Sequence, residues 1–399
     1  MKKFVLAETD LILNLSPKIE SFAHVWDSVG SGGSFLDYAY LTSIEHAPPK
    51  GMGFLYVIIE QRDRAIAKLY FQILPFEADK SLKIEVPRLC DDFFESLASY
   101  TKKYIASKVK LTSLILGNML LTGQHGFAFS EDFDPNAQQD IVSRVLQVLF
   151  KHPKLIQDAS ICLVKDFRQA KRLHFLENHN IVQLYEFQIQ PGMRFYIRNS
   201  WHNLSDYLND LNSKSRLRLR KAIESLGALK FEELTSEEMI QYKFQIHDLY
   251  KAVSENVGFN VLNLDIDYFS SLKSRVGDKF KIFAIKDKGH LIAFYSFVLN
   301  GDEMLAHFLG FEKKGNQREK VYTNILLNLI EQGIEHKIST IDFGRTALEI
   351  KSSVGAEEEK LFCYITHRSK LYNKFISKLL DFLKPEEHWI KRNPFKENA

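Results

Sequence analysis

The sequence predicts a mixed α/β fold of two tandem lobes, each a mostly antiparallel sheet flanked by helices. Three observations carry this. Residues 280–355 run strand, strand, strand, helix, strand. Residues 54–189 repeat that order, with one further helix and strand. Four residues of the first hairpin, Ile59, Ile66, Ala67 and Phe71, fall without gaps on Ile285, Ile292, Ala293 and Phe297 of the second. A repeated element order at a fixed offset marks duplicated units. The lobes are expected at 1–192 and 193–399, with Pro191-Gly192 as the junction.

The chain has 399 residues, enough for two domains. Hydrophobic residues make up 45% and charged residues 26%, as in a globular protein with a real core. A net charge of +3 gives no argument for nucleic acid by itself. Cys90, Cys162 and Cys363 lie far apart without CxxC spacing. Neither a disulfide framework nor a zinc site is readable, and no metal is expected. The first residues are too polar after Ala7 for a signal-peptide core. No apolar run reaches about 18 residues, so no membrane span is expected. These readings point to a cytoplasmic protein. The 31 phenylalanines suit a large core, or an apolar channel for an acyl chain.

In chain order, residues 21–46 read as helix, broken at 30–34, with Ser34 as a cap for the part that resumes at Phe35. Phe54–Glu60 and Ala65–Leu74 form a hairpin. A helix follows at 92–108, then strands at Leu111–Leu116 and Leu120–Ser130. Asp134 caps a helix over Pro135–Phe150, whose apolar stripe includes Ile141, Val145 and Leu149. A strand at 159–164, a helix at 168–179 and a strand at 181–189 complete the lobe. The second lobe opens with a short extended piece and a long helix over 204–226. Thr235 and Glu238 form a capping-box pattern for a helix reaching about Asn256. A shorter helix spans 265–276. A hairpin of 280–286 and 291–299 turns at Asp287-Lys288-Gly289-His290. The strand 303–310, a helix at about 319–336 and the strand 339–343 follow. A strand at 358–366 and a helix at 369–383 end the chain.

Lys313, Lys314, Gly315, Asn316 and Arg318 lead straight into the helix at 319. Free N–H groups at a helix start, a glycine and nearby cations suit a phosphate. This element order resembles the GNAT acyltransferases, and more narrowly the Fem-like group described with peptidoglycan biosynthesis. The tail Ile341-Asp342-Phe343-Gly344-Arg345-Thr346, with Glu349, Lys351 and Val354-Gly355-Ala356, carries the narrower resemblance. The basic helix, Gly117–Gly123 and Lys165-Asp166-Phe167 fit it too. The resemblance implies an acyl-CoA donor held at residues 313–318 and acyl transfer to an amine.

Lys214, Arg216, Arg218, Arg220 and Lys221 place five cations in one helix with no acid among them. Such a field suits a nucleotide-linked or otherwise polyanionic substrate, CoA or tRNA, against the plainer reading of a solvated face. Acyl transfer to an amine needs a base. Glu303 and His307 sit on one face of an alternating strand, with a core histidine as the alternative for His307 and an exposed position for Glu303. Tyr322 is a candidate acid toward a departing thiolate, or a packing residue. Arg345 and Lys351 follow a strand end, where ligands bind in open sheets. A structural Asp342–Arg345 pair explains them equally. In the last helix Lys370, Lys374 and Lys378 flank Leu371, Phe375, Leu379 and Phe382. That pattern fits peripheral contact with an anionic membrane, or a helix docked on its domain. Two other functions keep the same fold. One is an aminoacyl-tRNA-dependent ligase acting on a cell-wall precursor. The other is an inactive binding protein, favoured by the single glycine of the loop.

Overall fold

The structure, a computed structural model, describes residues 1–6, 9–77, 110–168, 182–188, 190–254, 262–312, 318–383 and 389–396. The helices expected at 92–108 and 168–179, Cys90 and loop residues Lys313, Lys314, Gly315 and Asn316 lie wholly or almost wholly outside them. The strands are β1 Lys2–Val5, β2 Leu11–Ser16, β3 Gly53–Gln61, β4 Arg64–Glu77, β5 Lys110–Leu116, β6 Phe127–Phe129, β7 Ile161–Arg168, β8 Tyr185–Gln188, β9 Gly192–Tyr196, β10 Phe231–Glu233, β11 Phe280–Asp287, β12 His290–Asn300, β13 Glu303–Phe311, β14 Thr340–Asp342, β15 Glu357–Glu359 and β16 Leu361–His367. The helices are α1 Tyr38–His46, α2 Gln138–Lys151, α3 Leu204–Asp210, α4 Ser213–Glu224, α5 Ser236–Gln241, α6 Lys243–Ser254, α7 Tyr268–Val276, α8 Arg318–Glu335, α9 Leu348–Ser352 and α10 Lys370–Leu383.

Two mixed sheets result. The first runs β1-β2-β3-β4-β5-β7-β16-β8, with β6 also paired to β4; the second runs β10-β11-β12-β13-β14-β9-β15. The duplication holds down to register. Ile59 faces Ala67 just before a register shift, and Ile285 faces Ala293 just before another. Leu55 faces Phe71 as Lys281 faces Phe297. In both lobes the third strand is antiparallel to the second and parallel to the strand after the helix.

The lobes exchange strands. β16, near the end of the chain, enters the first sheet between β7 and β8, whereas β9 from the junction enters the second between β14 and β15. A cut at 192/193 therefore leaves β16 and α10 on the far side of the sheet they complete. One apolar core spans both lobes. Tyr56, Tyr70 and Ile115 of the first sheet share it with Leu36 and Tyr40, and with Tyr268, Phe269 and Phe294 of the second lobe. Each large side chain fully buried there contributes roughly 1.5–3 kcal/mol, so parting the lobes would expose a core. The outer face of the first sheet packs on α2 through Val145, Leu146 and Leu149, and that of the second on α8 through Ile325, Leu329 and Ile330.

Local rules explain most boundaries. Asp134 accepts from Asn136 N at the turn before α2, and Thr235 with Glu238 forms the full capping box of α5. Four expectations need correction. Ser34 caps no helix; its N–H donates to Asn300 Oδ1 at 2.7 Å, and α1 starts after Asp37. The helix expected over 204–226 is two, α3 and α4, because Leu211 is extended and Asn212 caps a fresh start by accepting from Ser215 N. The helix opened by Thr235 is likewise divided at Tyr242 into α5 and α6. The strand expected over 120–130 is reduced to β6.

Candidate active site

β13 and β14 set the geometry. Their parallel ladder runs from Glu303–Thr340 to Leu305–Asp342, and then the strands part. Ala306–Leu309 are left half-buried although they lie in mid-sheet. Against β12 the register jumps from Phe297–Ala306 to Tyr295–Leu309, so His307 and Phe308 both stand opposite Ser296. This is a β-bulge, a device that re-aims side chains and frees backbone groups. Ser296 Oγ donates to Phe308 O at 3.1 Å and accepts from Phe308 N at 3.2 Å, which pins the bulge. The expected strict alternation of β13 breaks here for that reason.

His307 is thereby turned into the shared core. One ring nitrogen lies 2.7 Å from Tyr268 OH, the ring stacks on Tyr268, and Nδ1 is buried without a partner. Burial lowers its pKa to about 3. It is a neutral core histidine, the plainer of the two readings, and a weak base at neutral pH. Glu303 lies at the strand's other end. Arg168 and Arg194 donate to its carboxylate at 2.9 and 2.6 Å, and Glu359 completes the cluster. Burial alone would raise its pKa, but the two guanidinium groups hold it at about 2. Such a carboxylate braces the lobe junction and is neither exposed nor a useful base. Tyr322, one turn into α8 and near Phe311, has its pKa raised by burial, which keeps it protonated and makes it a weaker acid than a free tyrosine.

The cations of the Gly344 turn are held by partners within the protein. Arg345 forks onto Asp166, with Nη1 to Oδ2 at 3.1 Å, and donates from Nε to Gln190 O at 2.9 Å. Asp342 instead accepts from Gly344 N at 2.7 Å. Lys351 is buried and donates to the carbonyls of Arg345 at 2.5 Å and Gly344 at 3.3 Å. Burial lowers its pKa to about 7, partly offset by Asp342. Asp166 is the centre of this cluster. It pairs with Lys165 and Arg345, takes an N–H from Gly123 at 3.3 Å, and lies 3.4 Å from Cys363 Sγ. Burial would raise its pKa, yet Lys165 and Arg345 keep it well below the carboxylate range. Its φ of 65° is left-handed, a conformation Asp and Asn tolerate better than most residues. Sequence reasoning found Lys165 and Asp166 only by resemblance. It missed Tyr268, since a tyrosine on an apolar helix stripe gives no signal.

The five clustered cations of the sequence lie on α4. α4 packs on α8, where Asn324 Nδ2 donates to Ala222 O at 2.7 Å. Leu219 and Ala222 face inward; Lys214, Arg218, Arg220 and Lys221 are exposed and Arg216 is half-buried. None of the five takes an ion pair among the described residues. Lys214 and Arg218 line, with Arg392, a cavity of about 190 Å³ at the start of α4. Arg318 opens α8, directly after the loop expected to hold phosphate. No group of three or more metal-ligating side chains converges among the described residues.

Residues 213–360 match the model of the acetyltransferase (GNAT) domain. The match runs from the basic helix to just past β15 and includes the parted strands β13 and β14. No curated protein matches the sequence significantly. Among solved structures, FemX is 13% identical with a TM-score of 0.52, covering 92% of this chain and 100% of that one. A tandem GNAT protein from the clavulanic acid biosynthesis pathway is 8% identical, TM-score 0.48, with 90% and 99% covered. L-PGS from Bacillus licheniformis is 11% identical, TM-score 0.47, with 87% and 96% covered. The FemX superposition shows a shared fold across both lobes. Among the described residues no helix is long and apolar enough to cross a membrane.

Proposed function

We propose that the protein transfers an acyl group from a CoA-type thioester to an amine, with the chemistry in the second lobe. The observation that carries this is the parting of β13 from β14 beside a pinned bulge, directly before α8. The thioester lies along the half-buried run Ala306–Leu309, and its phosphates reach residues 313–318 and the cations of α4. The amine nitrogen attacks the thioester carbonyl. A backbone N–H on the edge of β13 that β14 leaves unpaired stabilises the oxyanion. The C–S bond then breaks, the thiolate takes a proton from Tyr322, and the ammonium proton passes through water to restore the phenol, since neither His307 nor Glu303 is basic enough to hold it.

The exposed cations of α4 favour a second reading, an aminoacyl-tRNA donor and a cell-wall precursor as acceptor. A thermal-shift panel separates the two. A ligand at about 100 times its Kd adds roughly 2.7 kcal/mol of stability. Acetyl-CoA and a long-chain acyl-CoA are expected to raise Tm by several degrees, and Arg318→Ala to abolish the shift. No shift with either thioester, together with salt-dependent binding of aminoacyl-tRNA, would move the ligase reading to first place. No response to thioester, aminoacyl-tRNA or a UDP-linked muropeptide would remove both.

A further inference from the structure

The last helix docks on its domain and yet leaves part of its apolar side outside. α10 docks on the first lobe through Asn373 and Ile376, both buried. Asn373 fixes its rotation: Oδ1 accepts from His367 N at 2.7 Å and Thr366 Oγ1 at 3.3 Å, and Nδ2 donates to Gln183 O at 3.1 Å. The opposite face looks into solvent. Leu371 and Tyr372 are each 64% exposed and Phe375 is 56% exposed. Leu371 and Phe375 share a stripe, as residues four apart do, and Lys370 and Lys374 lie exposed beside it. The sequence continues both stripes, with Leu379 and Phe382 in one and Lys378 in the other; Asp381 is the sole acid from 370 to 384.

We propose that this face seats α10 flat on an anionic lipid surface. A helix pinned by Asn373 and Ile376, with a leucine and aromatic residues outward and a lysine row along one flank, has the form of an interfacial helix. Leu371 and Phe375 enter the acyl boundary, while the lysine stems lie along it and their ammonium groups reach the anionic headgroups. Charge decides between occupants. A second copy would bring an identical lysine row against the first, and a nucleic acid would leave the exposed apolar stripe unused. The inference does not depend on the acyl-transfer reading.

Co-sedimentation of the full chain with vesicles tests it. Phosphatidylglycerol–phosphatidylcholine vesicles are expected to bind at least about tenfold more tightly than pure phosphatidylcholine ones, with binding weakened by salt. Leu371→Ser with Phe375→Ser should lose at least about tenfold in binding, with melting temperature and native mass unchanged, because both side chains are exposed. Lys370→Glu with Lys374→Glu should lose the preference for anionic vesicles and stands in should the first variant misfold. Absence of binding to either vesicle, or undiminished binding by both variants, overturns the proposal. So does a dimer by light scattering that the serine variant converts to monomer, since a second copy would then cover the face.

Discussion

Tyr70 in the first sheet and Ser296 in the second hold the same place in the duplicated hairpin, and the chain opposite them behaves differently. Opposite Ser296 stand His307 and Phe308, a small bulge on a strand that then parts from its neighbour. Opposite Tyr70 the whole segment Gly117–Gly126 leaves the strand and returns as β6. Its ends stay on Tyr70, through Gly117 N to Tyr70 O and Tyr70 N to Gly126 O. A side chain at 126 would put its first carbon 2.7 Å from Gly117 N, so the closure requires glycine. The excursion carries Leu120 and Leu121 into the shared core, and Lys165 donates to Leu121 O at 2.6 Å. The parallel ladder of the first lobe runs on to Leu116, the last residue of β5. One lobe has therefore closed its gap with its own chain, and the other has kept it. The same architecture serves as a brace in one copy and as a candidate site in the other.

The harshest way to break this division of labour is Asp166→Ala, which leaves Lys165 and Arg345 buried without their acid. Loss of one partner of a buried pair costs about 3–5 kcal/mol. Urea unfolding should show that loss in a single transition, because the lobes share a core; two separated transitions would show independent lobes. The comparison is sharpened by copying one residue across. Leu116 faces Phe71 as Ala306 faces Phe297. Ala306→Leu should fill the second gap as the first is filled, at a cost of about 1–3 kcal/mol. Thioester binding, read by calorimetry, should fall at least about tenfold from one site per chain. Two sites in the parent, or unchanged binding in the variant, would put the donor elsewhere.

A further effect is one of pH, and it grows only as the medium turns acid. Burial lowers His125, in the excursion, to about 4 and His307, in the bulge, to about 3. Both lie below the ordinary value of about 6.5. Between those limits the unfolded chain binds more protons than the folded one. Stability is therefore whole above about pH 6.5 and falls as pH drops, by up to about 1.4 kcal/mol per pH unit for each histidine. Urea midpoints at pH 7, 6 and 5 measure the slope. His307→Gln should about halve it, leaving the share of His125, and an unchanged slope would mean the ring is hydrated.

Much of the fold was legible because its signals are local. The hairpin alternation, the turn at Asp287–His290, the capping box at Thr235 and the stripe of α8 each lie within a few residues. Of the candidate site, the strand β13 and the helix α8 were legible; the loop between them lies outside the described residues. The site's side chains were not. Glu303 read as a candidate base and Arg345 as a ligand because a lone charge has no visible partner in sequence. Their partners Arg168, Arg194 and Asp166 come from distant parts of the chain.

The sequence by itself determined the element order, the duplication and the five cations of α4, since periodicity, turn chemistry and composition are properties of neighbouring residues. Tertiary structure decided the exchange of β9 and β16, the filling of one gap and the opening of the other, and the outward turn of α10. Those follow from which surfaces meet across long stretches of chain, where burial selects the pairing and no residue-by-residue pattern records it.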